Sequence, residues 1–365
     1  MHKGMTRDNA LLICGVTKNQ FYHCPSSIRQ GRRCSEYTTR LINGVKEEVS
    51  NLEVVEWIKR RLKDPLNTEG YQRMTGALQL SGFYINSKKV YRLMRKYQLL
   101  RKVRQREGRN YVRYRILCPA TPLRLIEMDI KSVWIAGKRR YAYILTILDV
   151  FTRVVLRWRV GLHMKQEAVQ AAWQELIETH LEVEDMHAWK IDIEVRNDNG
   201  PQFSSKKMQQ FLKDNYFLQT FTHPYTPQEN GHVESFHAIL GDQLQGKVFV
   251  DLAEIEDMLD VFYVHYNQHR IHGSTLNLPP QLFWNQWKAG NIERTVIDEK
   301  KRKVKFRLKI GRQNILNNKE PEPVGIRNPE RGRVSDAEES IHENSECTKK
   351  KKQADSTVLF VKSEV

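Results

Sequence analysis

The chain has 365 residues, 40% of them hydrophobic, and carries 60 Lys+Arg against 43 Asp+Glu, a formal charge of +17. That length allows two domains with a sizeable core, and the basic surplus sets up a field that attracts polyanions. No apolar run reaches membrane-spanning length, and the first residues lack a signal peptide's apolar core, so the expected location is cytoplasmic. Five scattered cysteines, Cys14, Cys24, Cys34, Cys118 and Cys347, contain no Cys-x-x-Cys pair. His23, Cys24 and Cys34 lack the second close pair that a zinc site needs, and free thiols in a reducing compartment are expected.

The front third reads as helical. Residues 7–14 and 17–22, joined at Gly15-Val16, have the shape of a short helix-turn-helix. A helix over 52–62, with Val55, Ile58, Arg61 and Leu62 at helical spacing, ends at Asp64-Pro65-Leu66-Asn67. A second helix over 71–80 stops at Ser81-Gly82. A third covers 86–97, with Asn86 or Ser87 as N-cap and Val90, Leu93 and Met94 facing inwards. Lys88, Lys89, Arg92, Arg95 and Lys96 then face outwards, as on a recognition helix meeting a major groove. The basic run goes on through Arg101, Lys102, Arg104, Arg106, Arg109, Arg113 and Arg115, opposed only by Glu107 and interleaved with Tyr91, Tyr97, Tyr111 and Tyr114. A DNA-tracking surface is the favoured reading, against a plain helical bundle with a solvated basic face and linker.

Next comes an α/β pattern. The run 125–130 is a strand whose alternation puts Glu127, Asp129 and Lys131 on one face and Ile126, Met128 and Ile130 towards a core. Residues 142–148 and 153–158 are further strands, with Asp149-Val150-Phe151-Thr152 turning between them. A helix over 166–182 buries Val169, Ala172, Trp173, Leu176 and Ile177. Ile191, Ile193 and Val195 alternate as a strand that delivers Asp198 in the turn Asn197-Asp198-Asn199-Gly200. Residues 205–215 read as a helix and 217–221 as a last strand. Thr226, Pro227 and Glu229 form an N-cap, first-turn proline and capping box for a helix that holds Glu234. Another helix runs over 252–266 with Ile255, Leu259, Phe262 and Tyr263 as its buried stripe.

Asp129, Asp198 and Glu234 carry the chemistry. Three carboxylates can hold two divalent cations for in-line displacement at phosphorus, and hard oxygen ligands suit Mg2+. Their settings resemble the insertion-sequence transposase family typified by IS-three (the product of its second reading frame), in the retroviral integrase superfamily with an Asp-Asp-Glu catalytic core. The resemblance rests on Met128-Asp129-Ile130, on Asn197-Asp198-Asn199-Gly200-Pro201-Gln202-Phe203, and on the run from Thr226 through Gly231-His232-Val233-Glu234-Ser235-Phe236. Tyr266-Asn267, Arg270, His272 and Leu276-Asn277-Leu278-Pro279-Pro280 match its closing motif. The run Glu69-Gly70-Tyr71-Gln72-Arg73-Met74 to Arg92-Leu93-Met94-Arg95 matches its helical DNA-binding segment.

The resemblance implies an RNase H-like integrase catalytic core, a mixed sheet flanked by helices, preceded by an all-α helix-turn-helix region. It implies Asp129 as ligand to two Mg2+ or Mn2+ ions per active site, with Asp198 and Glu234 each completing one shell. Asn199, Gln202, His232, His269 and Arg270 are accessory candidates for orienting groups or touching phosphate. The implied partners are double-stranded DNA (transposon ends and target), further copies of the chain on that DNA, and the product of an upstream reading frame; no membrane is implied. Two departures stand out. The family commonly has Lys or Arg seven residues after the glutamate, on the same face two turns along, and here Gly241 stands there. A long tail also follows about Arg312.

Trp284 and Trp287 close the last packed segment, and 300–309 is basic with alternation, either a strand of a small DNA-binding unit or a charged arm. From about Asn314 the chain is polar with blocks of like charge, which points to disorder. The expected division is a short helix-turn-helix over 1–34, a helical DNA-binding domain and basic linker over 35–115, the catalytic core over 116–290, a basic arm over 291–312 and the tail over 313–365. The expected activity is metal-dependent cleavage at transposon ends and strand transfer into target DNA. The alternatives are a catalytically impaired DNA-binding protein on the same fold and, more remotely, an RNase H-like nuclease acting on RNA hybrids.

Overall fold

A computed structural model describes residues 4–22, 35–101, 119–184, 193–222, 230–298 and 303–315. The basic run from Lys102 to Arg115, the capping residues Thr226, Pro227 and Glu229, four of the five cysteines and the tail from 316 lie outside them. The chain divides into two compact units, residues 1–104 and 105–365.

In the first unit, helix α1 (Arg7–Ile13) and the single turn α2 (Lys18–Phe21) are joined through Gly15, whose φ is +63°. Thr17 and Gln20 close a capping box on α2. A hairpin then follows that the helical reading of this region passes over: β1 (Tyr37–Ile42) pairs antiparallel with β2 (Val45–Ser50). Its turn is Asn43-Gly44, both at positive φ, the residue pair that favours a two-residue hairpin turn. Ser50 ends β2 and, with Glu53, boxes the start of α3 (Asn51–Lys63). Helices α4 (Tyr71–Leu80) and α5 (Ser87–Lys96) complete the unit, α5 capped by the Asn86 side chain on the Lys89 N–H. Gly82, between α4 and α5, has φ +88°, and a Cβ there would meet the Leu41 carbonyl at 2.5 Å. Only glycine allows that approach, which lets Leu41 N–H bond to Gly82 O at 2.9 Å and ties the turn to β1. Val54, Val55, Ile58, Met74, Leu78, Phe83, Val90 and Met94 form the core. Each such side chain contributes roughly 1.5–3 kcal/mol by leaving water.

The second unit is built on a five-stranded sheet in the order β5-β4-β3-β6-β7. Strands β3 (Leu125–Ile135), β4 (Arg140–Asp149) and β5 (Val155–Gly161) form an antiparallel meander. Buried Asp149 holds the β4–β5 turn, accepting from Thr152 N and Oγ1 at 2.8 and 2.6 Å. Helix α6 (Gln166–Leu176), continued by a π-helical turn (Ile177–Leu181), leads to β6 (Ile193–Asn197). The short α7 (Pro201–Ser204) and α8 (Lys206–Asp214) lead to β7 (Phe217–Phe221). Both β6 and β7 run parallel to β3. One face of the sheet is covered by α6 and α8, with Ile126, Met128, Leu145, Ile147, Trp173, Met208 and Leu212 in a single cluster. Over the other face lie α9 (Gly231–Leu244) and α10 (Leu252–Gln268). There Tyr263 stacks on Trp158 and on Phe236. Helix α11 (Pro280–Lys288) and the hairpin β8 (Ile292–Asp298) and β9 (Lys303–Leu308) close the unit. The arm expected over 291–312 is thus a β-hairpin, anchored by Phe306 against Phe151 and Phe283. No helix among the described residues is long and apolar enough to cross a membrane.

Candidate active site

Strand alternation puts Glu127, Asp129 and Lys131 on the sheet face that α9 covers. Their partners on β4 are Leu148, Thr146 and Ile144. Asp129, half-buried, accepts from its neighbour's backbone N–H through Oδ1, and its Oδ2 lies 3.1 Å from His237 Nδ1. With its proton on Nδ1, His237 donates to Asp129 and accepts from Thr146 through Nε2 at 3.3 Å. Thr146 in turn meets the Tyr263 hydroxyl at 2.8 Å. A chain of polar contacts therefore runs from Asp129 into the core, fixing the direction of its carboxylate.

Asp198 follows the end of β6. The parallel register pairs Ile126 with Val195 and Glu127 with Arg196. Asp198 lies two residues past the last of these pairs, just beyond the end of β6, and feels the charge of Asp129. The turn is held tightly: Gly200 N–H donates to Asp198 Oδ1 at 3.0 Å, and buried Asn197 donates to the Asp198 carbonyl at 2.6 Å. A Cβ on Gly200 would stand 2.4 Å from Gln202 Nε2 and 3.0 Å from Asp198 Oδ1, so the turn needs glycine. Burial first, and then the charge of Asp129, push the Asp198 carboxyl above the usual range.

Glu234 enters from α9, whose first turn is pinned to β3. Fully buried Glu127 accepts the N–H groups of His232 and Val233 at 3.0 and 2.8 Å, and its other oxygen lies 3.0 Å from His232 Nδ1. Asn230 donates to the Met128 carbonyl at 3.2 Å. A carboxylate from the strand thus supplies the N-terminal cap, placing an anion where the exposed N–H groups and helix dipole favour one. Burial pushes Glu127 up to about 7, against the pull of the Val233 N–H, Arg153 and Arg196. Glu234 itself is exposed on α9. Its carboxyl is nonetheless pushed up to about 7, first by the protein walling off one side of it, then by the charges of Asp129 and Glu127.

Asp129 therefore raises both Asp198 and Glu234, and the three acids share one electrostatic neighbourhood. Mutually repelling carboxylates with hard oxygen donors fit a divalent cation. They do not form a closed cage: among the described residues no group of three or more His, Cys, Asp or Glu side chains is set to hold a metal ion.

The accessory candidates divide. His232 is engaged with Glu127 rather than free for phosphate. Asn199 ties its loop to β7 by donating to the Thr222 carbonyl at 2.9 Å, and Gln202 leans over Gly200. His269 is exposed at the end of α10 and Arg270 is buried beside it. On α5, Lys88, Arg92, Arg95 and Lys96 are exposed, and Arg101 beyond it also. Lys89 differs: its amine donates to the Tyr37 carbonyl at 2.5 Å and holds the hairpin to the helix. Lys102 lies outside the described residues. The sequence reading assigned no role to Glu127 or His237, yet signals existed. Glu127 shares Asp129's face, and His237 sits one turn beyond Glu234 on the same helix.

The Integrase core domain family matches residues 119–227 and, in a second form, 218–280, and an HTH-like domain matches 51–107. Similar proteins include the uncharacterized 39.2 kDa protein of insertion element IS476 from Xanthomonas euvesicatoria, 30% identical over 59% of this chain and 60% of that one. The putative transposase InsK of insertion sequence element IS150 from Escherichia coli is 23% identical over 60% of this chain and 77% of that one. The catalytic domain of Mos1 mariner transposase is similar over 46% of this chain and 82% of that one, at 15% identity and a TM-score of 0.36, too loose a likeness to carry weight. The alignment spans about three fifths of the Xanthomonas protein. The five-stranded sheet with helices on both faces is the part of the chain that the Integrase core domain model matches, and the HTH-like match lies in the first unit. The relatives it resembles include proteins of insertion elements, in keeping with the IS-three family its motifs resemble.

Proposed function

We propose that the protein is a DNA transposase that cuts at the ends of a mobile element and joins them to target DNA. The observation that carries the reading is electrostatic: burial and then the charge of Asp129 raise two further carboxyls, one from the end of β6 and one from α9. An acidic centre that repels itself is costly for the fold and useful when cations neutralise it. Asp129 would be the shared ligand, with Asp198 and Glu234 each completing one site for Mg2+ or Mn2+. Ions bound there would activate the attacking oxygen and neutralise the leaving one. His237 keeps Asp129 aimed, and Glu127 keeps the first turn of α9, with Glu234, against β3. In the first step a P–O bond at the element's end breaks as water adds to phosphorus, leaving a 3′-hydroxyl. In the second that hydroxyl adds to a target phosphodiester and displaces its 3′-oxygen. Neither step needs a covalent bond to the protein. The cations of α5, with Arg101 and Lys102, would hold the duplex by its phosphates.

Full-length protein, a labelled duplex ending in the element's terminus and Mg2+ test this. Asp129→Asn, Asp198→Asn and Glu234→Gln should each lower cleavage and joining by a factor on the order of a thousand, with duplex affinity little changed. Cleavage at the wild-type rate by any one of them overturns the assignment.

A further inference from the structure

The far end of the β3–β4 ladder carries a bare apolar face. Strand alternation puts Trp134 of β3, and Tyr141 and Tyr143 of β4, on the same side of the sheet as Met128 and Leu145. Met128 and Leu145 lie in the core cluster with Trp173 of α6. Nothing described covers the other three, which are 48%, 52% and 37% exposed. Trp134 and Tyr141 pack edge-to-face at 5.0 Å. The segment after α9 widens the face. Buried Phe249 bridges Ile135 in parallel register, so Val248 and Val250 on either side of it point to the Trp134 side, 77% and 59% exposed. Five adjoining apolar side chains left in water mark an interaction surface, whereas single ones need no explanation. The exposed turn Lys138-Arg139-Arg140 borders them.

We propose that the chain's own C-terminal tail covers this face, with Val358-Leu359-Phe360-Val361 on the aromatic rings. These four are the only run of four apolar residues after Ile315. Ahead of them, Asp336, Glu338, Glu339, Glu343 and Glu346 form an acidic block with no Lys or Arg among them, the charge opposite to the Lys138–Arg140 turn. Charge decides between occupants. A second copy seated face to face would set two basic turns close to each other, and a nucleic acid would gain nothing from Val248 and Val250. The tail answers both the apolar face and its basic border. Val358 lies 43 positions after Ile315, and a coil of that length spans roughly 35 Å, enough to cross a domain. The tether makes the contact intramolecular, at an effective concentration on the order of 1 mM.

Full-length protein, without DNA or metal, tests this. A fluorescein-labelled peptide of residues 353–365 is titrated against Phe360→Asp protein, whose own tail no longer fits the apolar face, and against the wild type. Anisotropy should show the peptide binding the Phe360→Asp protein about tenfold more tightly or better, because in the wild type the tethered tail competes. Adding Trp134→Ser, or separately Val248→Asp, to Phe360→Asp should weaken the peptide by about tenfold; both side chains are exposed, and thermal melts confirm that the fold is kept. In the wild type, hydrogen exchange over 357–362 should be slower than in Trp134→Ser. An absence of peptide binding, equal binding to the Phe360→Asp and wild-type proteins, or binding indifferent to Trp134→Ser and Val248→Asp overturns the proposal. So does a wild-type dimer in sedimentation that Trp134→Ser turns into a monomer, which would give the face to a second copy. None of these results touches the carboxylate assignment, which is read from cutting in Mg2+.

Discussion

The two units hold their charges in opposite ways. On α5 the exposed side chains of Lys88, Arg95 and Lys96 lie on the far side from Val90, Leu93 and Met94, and folding is nearly indifferent to them. The buried ions of that unit are neutralised: Glu69, with 1% of its side chain exposed, takes both forks of Arg61 at 2.6 and 2.7 Å. In the core unit the candidate acids Asp198 and Glu234 form no ion pair with a described residue. Asp198 and Glu234 are held where folding raises their cost, and Glu127 is buried beneath them. A binding surface can be added to a stable scaffold, whereas this centre is assembled against the scaffold's preference. Loss of function should therefore leave the first unit's stability alone and raise the second's.

The sharpest way to break the first half of this contrast is the ion pair. Glu69→Ala removes the buried carboxylate from Arg61, and breaking a buried ion pair from one side costs about 3–5 kcal/mol. That is most of what a unit this small is expected to have. Hydrogen exchange should show protection lost across α3, α4 and α5 and retained in the sheet of the core unit. Protection unchanged in those helices would mean that the pair is dispensable. Neutralising Lys88, Arg92 and Arg95 together should do the reverse. The salt slope for duplex binding should fall by about 2.7 units, at 0.9 per phosphate contact, with the melting temperature little moved. Lys89→Gln gives the internal control, since its amine holds Tyr37: it should move stability and spare the slope.

The second half of the contrast is a matter of pH. Glu234 has a folded pKa of about 7 against 4.5 when unfolded, so the folded state holds its proton more tightly. Its contribution is complete below pH 4.5, falls as pH rises towards 7, and stays low above. Glu234→Gln cannot ionise and should gain on the wild type over that same window. For a side chain exposed to solvent the gain is screened to about 1 kcal/mol, some 2 °C in Tm at pH 8, and it should vanish near pH 4.5. Mg2+ should raise the wild-type Tm at pH 8 more than at pH 5.5, because bound metal requires the deprotonated acid. An equal gain from Glu234→Gln at pH 4.5 and pH 8 would show that repulsion is not its source.

The elements were legible because their patterns are local. Alternation over 125–130 and the stripe Ile255, Leu259, Phe262 and Tyr263 each name a face without knowing what covers it. The hairpin at 37–50 was equally local, announced by Asn43-Gly44, and was passed over because the surrounding helices set the expectation. The long helix over 166–182 becomes α6 and a π-helical turn, a change of backbone winding that side-chain spacing does not record. The three acids stand out in the sequence through the motifs around them, whereas the residues that hold them in place do not. That Glu127 caps α9, or that His237 bridges Asp129 and Thr146, depends on a strand and a helix separated by about a hundred residues of chain. Lys89 was assigned to DNA because helical spacing puts it outwards, and only the unforeseen hairpin supplies the carbonyl that takes its amine.

Gly241, in the core unit, is the smallest effect. The sequence leaves open whether it ends the helix at positive φ or lies within it. Helix α9 runs on to Leu244, and the residue at positive φ is Gly246, so position 241 is interior. Gly241→Ala should then firm α9 by up to about 1 kcal/mol, since a methyl there meets the end of Lys131 at an ordinary 3.6 Å. A lysine would gain nearly as much from helix propensity alone. The amine of Lys131 already occupies the space it would enter, however, and like charges in contact repel. Gly241→Lys should therefore gain less than Gly241→Ala in low salt, and the deficit should close in high salt or when Lys131→Met is added. Thermal melts of the four proteins measure this. A lysine variant that matches the alanine variant at low salt would mean that Lys131 turns away from the helix.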